Sequence, residues 1–202
     1  MQKKTPTARE RLLTAARELF YTKGITATGI DTITKQAGVA KMSLYNNFSS
    51  KAELVAAYIE ERDNEWTAIY SRREDTAINP KERVLAVIDA YIDHADIEYA
   101  AHGFRGCGMM NAAAELELDS PTRDAIRKHK TMVKSLFEKH VLELPSVTKE
   151  QAAEIAETFS FILEGAMVCS GLDGDSSKVH SAKRIIAAML DNIELQGSQC
   201  NA

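Results

Sequence analysis

Between Lys41 and Lys51 the chain sets Met42, Ser43, Tyr45 and Asn46 opposite an apolar stripe of Ala40, Leu44 and Phe48, four residues apart. One apolar tip, short hydrogen-bonding groups and a phenol, bracketed by two cations, suit a helix that meets base edges and phosphates in a major groove. A second group of reactive types stands at Arg105 and Cys107, followed by Met110 and Asn111. A cation beside a thiol aids its attack on electrophiles or oxidants. The histidines (His94, His102, His129, His140, His180) are scattered and form no metal-ligand spacing, though His94 and His102 share one helix face.

Local elements must position the polar face. Ile30, Ile33 and Ala37 recur at helical spacing, and Gly38 falls where the chain must turn before the next helix. Residues 26–51 therefore read as two short helices joined by a tight turn. An earlier helix, about Thr7 to Lys23, buries Leu12, Ala16, Leu19 and Phe20 and ends at Gly24. An ordinary amphipathic pair has the same geometry; charge separates the two readings. Residues 1–51 hold nine Lys/Arg against three acids, a net of +6, whereas the remainder carries a net of −10. A basic head on an acidic body is expected of a phosphate-binding module joined to a non-binding domain.

This head resembles the TetR family of bacterial transcriptional regulators. The likeness runs from about Thr7 to Glu60 through ARELFYTKG, AGVAKMSLYNNF, Lys51 and Leu54. The resemblance implies that Thr28 contacts phosphate and that Lys41, Met42 and Ser43 begin a recognition helix. It also implies that Tyr45 and Lys51 meet the DNA backbone. The family often has His before the Phe, where this chain has Asn47. Met42 stands where small or polar residues are common, and it would reach a thymine methyl. Further expectations are an all-α fold of about nine helices, a palindromic operator bound as a homodimer, and a small organic effector.

Composition sets the bounds. The 202 residues include four prolines and ten glycines, leaving long helical patterns without alternating strand runs. We expect a DNA-binding domain over residues 1–51 and a helical effector-binding and dimerisation domain over 52–202, with no cofactor and no metal. No apolar stretch reads as approaching membrane-spanning length, and the N-terminus lacks a signal-peptide core, so the expected place is the cytoplasm. Cys107, Cys169 and Cys200 are odd in number and widely spaced, which argues against a disulfide framework. The termini, Met1 to Pro6 and Gly197 to Ala202, are expected to fray.

The body reads as helices over about Lys51–Ser71, from Pro80 onward, Pro121–Leu142, Thr148–Ser170 and Ser177–Leu195. Between them, residues 103–117 (GFRGCGMMNAAAELE) suggest a bent junction. Similar strings occur in part of the TetR family beside the ligand cavity. We therefore expect an effector cavity lined by Trp66, Tyr91, His94, Arg105, Cys107, Met110 and Asn111. Ile155, Phe159, Ile162, Ala166 and Cys169 repeat at spacings of 4, 3, 4, 3, and Val179, Ala182, Ile186, Met189 and Ile193 at 3, 4, 3, 4. Such seams suit helix-on-helix packing, either in the protomer's own core or, as the resemblance implies and we expect, in a four-helix homodimer interface. Val168 and Ile185 widen the apolar surface beyond one face. A thiol-based redox or electrophile sensor using Cys107 is the alternative regulator. A helical enzyme is the alternative of another class, and the basic head, which an enzyme does not need, discriminates against it.

Overall fold

The computed structural model describes residues 5–145 and 147–200. Among them nine helices and no strand occur: α1 (Ala8–Lys23), α2 (Ile30–Ala37), α3 (Lys41–Asn47), α4 (Lys51–Glu74), α5 (Pro80–His102), α6 (Gly108–Glu115), α7 (Pro121–Leu142), α8 (Lys149–Asp173) and α9 (Ser177–Cys200). They group into two compact units. The first holds the residues up to Asp63 together with Gly108–Ile126; the second holds Asn64–Cys107 and the residues from Arg127 onward.

The first unit closes around Leu12, Leu19, Phe20, Ile33, Leu44, Phe48 and Leu54, all buried. Each contributes about 1.5–3 kcal/mol relative to an exposed side chain. Gly38 ends α2 in the left-handed conformation, φ 62°, ψ 40°, which a residue with Cβ adopts only with strain. Its carbonyl accepts from the Arg11 guanidinium at 3.3 Å. The turn that aims α3 is thus set by backbone geometry and tied to α1.

The second unit buries Trp66, Ile88, Phe137, Phe159, Leu163, Ile186 and Leu190, with Phe137 and Phe159 edge to face at 5.8 Å. By length and composition α8 is apolar enough to cross a membrane, contrary to the expectation that no stretch approaches that mark. The reason is that α8 is apolar on two sides. Ala152, Ala156, Phe159, Leu163 and Met167 are buried, while Phe161, Val168 and Leu172 are exposed.

Helix starts differ in a way that matters for the site. Thr7 and Glu10 form a capping box on α1, and Thr148 and Gln151 form one on α8. The Ser50 hydroxyl accepts from the Glu53 amide and Asn79 Oδ1 from the Glu82 amide, capping α4 and α5. At α2 and α3 the N-caps are Gly29 and Ala40, and neither supplies a side-chain cap. Three ends run past expectation: α4 reaches Glu74, α8 reaches Asp173 and α9 reaches Cys200, since no proline interrupts any of them. Of the segments expected to fray, residues 1–4 and 201–202 lie outside the described residues.

Candidate nucleic-acid interface

Leu44 and Phe48 anchor α3 from below, and the Arg9 guanidinium lies 5.0 Å over the Phe48 ring. The opposite side faces solvent. Met42 is 70% exposed, and Tyr45 and Asn46 stand exposed beside it. Ser43 is half-buried, and its carbonyl accepts from the Asn47 side-chain amide at 2.7 Å, which folds Asn47 back along its own helix. Lys41 pairs with Asp31 at 2.9 Å, and the hydrogen bond and charge of that carboxylate raise the Lys41 pKa. Both groups are exposed, so the pair orients Lys41 more than it stabilises the fold.

Two phosphate-contact expectations change in detail. Thr28 is only 1% exposed, and its hydroxyl donates to the Gly24 carbonyl at 2.7 Å. Its side chain therefore closes the α1–α2 loop and is not presented to DNA. What reaches the surface at this point is the start of α2, where Gly29 is exposed and no side chain caps the first turn. An uncapped helix start presents amide hydrogens and the positive end of the helix dipole, the ingredients of a phosphate site. Lys51 is half-buried and donates to the Ile25 carbonyl at 2.5 Å, a bond that holds one of its three N–H groups.

Sequence reasoning missed Glu115. Its carboxylate, at the end of α6, accepts from the backbone amides of Ile25 at 3.0 Å and Thr26 at 2.7 Å. Partial burial opposes its charge, but these amides, Thr26 and Lys51 outweigh that and hold the carboxyl below its ordinary range. The same loop is thus held by Lys51 on its carbonyl side and Glu115 on its amide side. No local pattern flags a bond across about ninety residues.

In the second unit Trp66 stacks on Tyr70 at 5.4 Å and packs against Tyr91 at 5.4 Å and His129 at 5.2 Å. The Tyr91 hydroxyl accepts from Lys130 at 3.2 Å; Lys130 also reaches Glu164 Oε1 at 2.6 Å and Cys107 Sγ at 3.6 Å. Burial alone would lower the Lys130 pKa, yet Cys107, Tyr91 and Glu164 hold it well above the ordinary lysine value. Burial pushes the Tyr91 phenol upward. Lys130 was absent from the sequence-based set because a lysine on a helix with a basic exposed side carries no mark of burial. His94 is half-buried, 3.7 Å from a Glu65 carboxylate oxygen, and Arg105 is exposed. Met110 and Asn111 are exposed residues of α6 and belong to the first unit.

The seams of α8 and α9 divide. Phe159, Val179, Ala182 and Ile186 are buried in the protomer's own core, so these four side chains offer no surface to a partner. Ile155, Ile162, Ala166, Met189 and Ile193 are partly buried, and Cys169 is exposed. The outward apolar stripe consists of Phe161 (67% exposed), Val168 and Leu172 (82%) on α8 and Ile185 on α9.

Residues 12–58 match the family described as "Bacterial regulatory proteins, tetR family". A 97-residue stretch is 35% identical to the HTH-type transcriptional activator FasR of Mycolicibacterium smegmatis, covering 48% of this chain but only 43% of that protein. An uncharacterised HTH-type transcriptional regulator of Lactococcus lactis is 26% identical over 86% of this chain and 88% of its own. The crystal structure of a TetR-family transcriptional regulator from Streptomyces coelicolor superposes with a TM-score of 0.83 at 26% identity, covering 93% of this chain and 96% of that one. These are DNA-binding regulators rather than enzymes. With the helix-turn-helix geometry described above, they identify residues 12–58 as the DNA-binding head of a TetR-family transcriptional regulator and give the chain that family's fold.

Proposed function

We propose that the protein is a ligand-responsive repressor that binds a near-palindromic operator in the cytoplasm as a homodimer. One observation carries the DNA-reading part: Met42, Tyr45 and Asn46 are solvent-exposed on α3, opposite its buried Leu44 and Phe48. Met42, Ser43 and Asn46 read base edges. Tyr45, Asn47, Lys41 and the remaining N–H groups of Lys51 meet phosphates, with the uncapped start of α2 in place of the Thr28 side chain. Selection of binding sites from random duplex DNA by the full-length protein tests this. Met42→Ala and Asn46→Ala should change the selected sequence, and unchanged preference in both would sink the assignment.

Dimerisation through α8 and α9 is supported by the exposed Phe161, Val168, Leu172 and Ile185, a stripe a lone protomer leaves in water. Partly buried members of the sequence seams flank it. Light scattering should give twice the chain mass, and Phe161→Glu with Leu172→Glu should give monomers. A native monomer at micromolar concentration that still bound a palindrome tightly would rule the dimer out. The effector, a small organic molecule, is assigned to the second unit around Trp66, Tyr91, His94, Arg105 and Cys107. It releases DNA by favouring a dimer whose readers no longer match major grooves about 34 Å apart. Effector and operator must then weaken each other's binding by the same factor.

A further inference from the structure

Lys130 is the hub of a polar cluster inside the second unit, with Glu164, Tyr91 and Cys107 around one ammonium group. Beside it, the buried Trp66 packs on the Tyr91 ring, and its indole N–H has no hydrogen-bond partner among the described residues. Tyr91 accepts from Lys130, which leaves the phenol proton for another acceptor. The sulfur is held in place by its neighbour. Gly106 takes φ +80° and lies so close to Gly171 that a Cβ there would come within 2.9 Å of the Gly106 nitrogen. Cys107 is half-buried, at once sheltered and accessible. An anchored nucleophile therefore stands beside a cation that also holds the Tyr91 phenol, with the Trp66 ring packed behind that phenol.

We propose that Cys107 is a covalent attachment site for α,β-unsaturated carbonyl compounds, with Lys130 and Tyr91 receiving the carbonyl oxygen. The proposal rests on the ligand-responsive reading above and names a chemical class for its effector. Sulfur attacks the β carbon and forms the S–C bond. The C=C π pair shifts toward the carbonyl oxygen, where the ammonium and phenol hydrogens stabilise the enolate. The thiol proton ends on the α carbon. The product is a saturated thioether ketone, and no oxidant or other reagent is consumed. Glu164 keeps the ammonium charged and directed while the oxygen arrives. Cys107 immediately precedes α6, whose last residue, Glu115, holds the loop that leads into the reader.

The test uses the full-length protein and 2-cyclohexen-1-one, with N-acetylcysteine in the same tube as a free reference thiol. Intact-mass and peptide-mapping measurements should place the adduct on Cys107, forming about tenfold or more faster than on the reference thiol. Lys130→Met should remove that advantage and Lys130→Arg should restore part of it. If Lys130→Met fails to fold by circular dichroism, Tyr91→Phe serves instead. It keeps the ring against Trp66, removes one donor, and should slow the addition several-fold. Addition to Cys107 no faster than to N-acetylcysteine, or a rate indifferent to both Lys130→Met and Tyr91→Phe in folded protein, overturns the proposal. Operator binding of the untreated protein is measured in parallel. Binding without adduct removes this inference alone, whereas an adduct without binding removes the regulatory reading and leaves the thiol chemistry standing.

Discussion

In the reader, Met42, Tyr45 and Asn46 stand in water and two helices begin without a side-chain cap; in the second unit, the Lys130 ammonium touches a carboxylate, a phenol and a thiol. The exposed polar groups of α3, Tyr45 and Asn46, contribute little to folding and, under the proposed function, are left for DNA. Those of the second unit are already engaged, so a ligand there must enter an existing network. The capped starts of α1, α4, α5 and α8 mark where the chain satisfies its own backbone. The bare starts of α2 and α3 mark where it leaves that to something else. A helix end that is suboptimal for stability is useful to a phosphate-binding surface.

The sharpest way to break this contrast is to truncate one side chain of each kind. Phe159→Ala removes a fully buried ring from the second unit and should cost about 3–5 kcal/mol in urea unfolding. Met42→Ala should change stability by less than about 0.5 kcal/mol. Comparable losses from the two would mean that Met42 packs rather than reads.

Asn46→Ala and Met42→Ala should shift preference between operator variants by about 1–3 kcal/mol wherever a base contact is lost. Fluorescence anisotropy on single-base variants measures this, and a uniform loss across all sequences would reassign the face to phosphate contact.

Ala40→Asp supplies α3 with the cap it lacks. It should stabilise the protein by about 1 kcal/mol. The same carboxylate would stand where phosphate is expected, so operator affinity should fall. Stability and affinity rising together would show that the bare start has no part in binding.

The smallest effect expected is a pH dependence from the second unit. Burial lowers the His140 pKa against the pull of Glu143 and Glu74, and the ring is hydrogen-bonded to Tyr70 at 2.9 Å. A histidine held neutral in the fold takes up its proton more readily when unfolded. Its stabilising effect is therefore present above the unfolded value of about 6.5 and is lost as the pH falls through the lower folded value. Glu74 and Glu143 have lowered pKa values, so their stabilisation disappears on further acidification. Thermal unfolding should weaken from pH 7 toward pH 5, and His140→Gln should flatten the first part of that slope. The reader's exposed face should contribute no comparable slope.

Everything the sequence determined by itself was decided within a turn or two of helix. Apolar spacing placed eight of the nine helices among the described residues, while the segment holding α6 reads only as a bent junction; Gly38 set the turn, Thr7 and Thr148 marked two starts, and the Ala40, Leu44 and Phe48 stripe aimed Met42 and Asn46 outward. These depend on residues three or four apart, whose relation is fixed once the chain is helical. Tertiary structure decided the partners. It sent the Thr28 hydroxyl to Gly24, bound Lys51 to Ile25, brought Glu115 to the amides before α2, and set Lys130 beside Cys107. It also chose which apolar side of α8 and α9 faces the core, turning Phe159 and Ile186 inward and leaving Phe161 and Leu172 out. Periodicity tells that a helix has an apolar side. Where two sides qualify, only the shape of the neighbouring helices selects the one that packs.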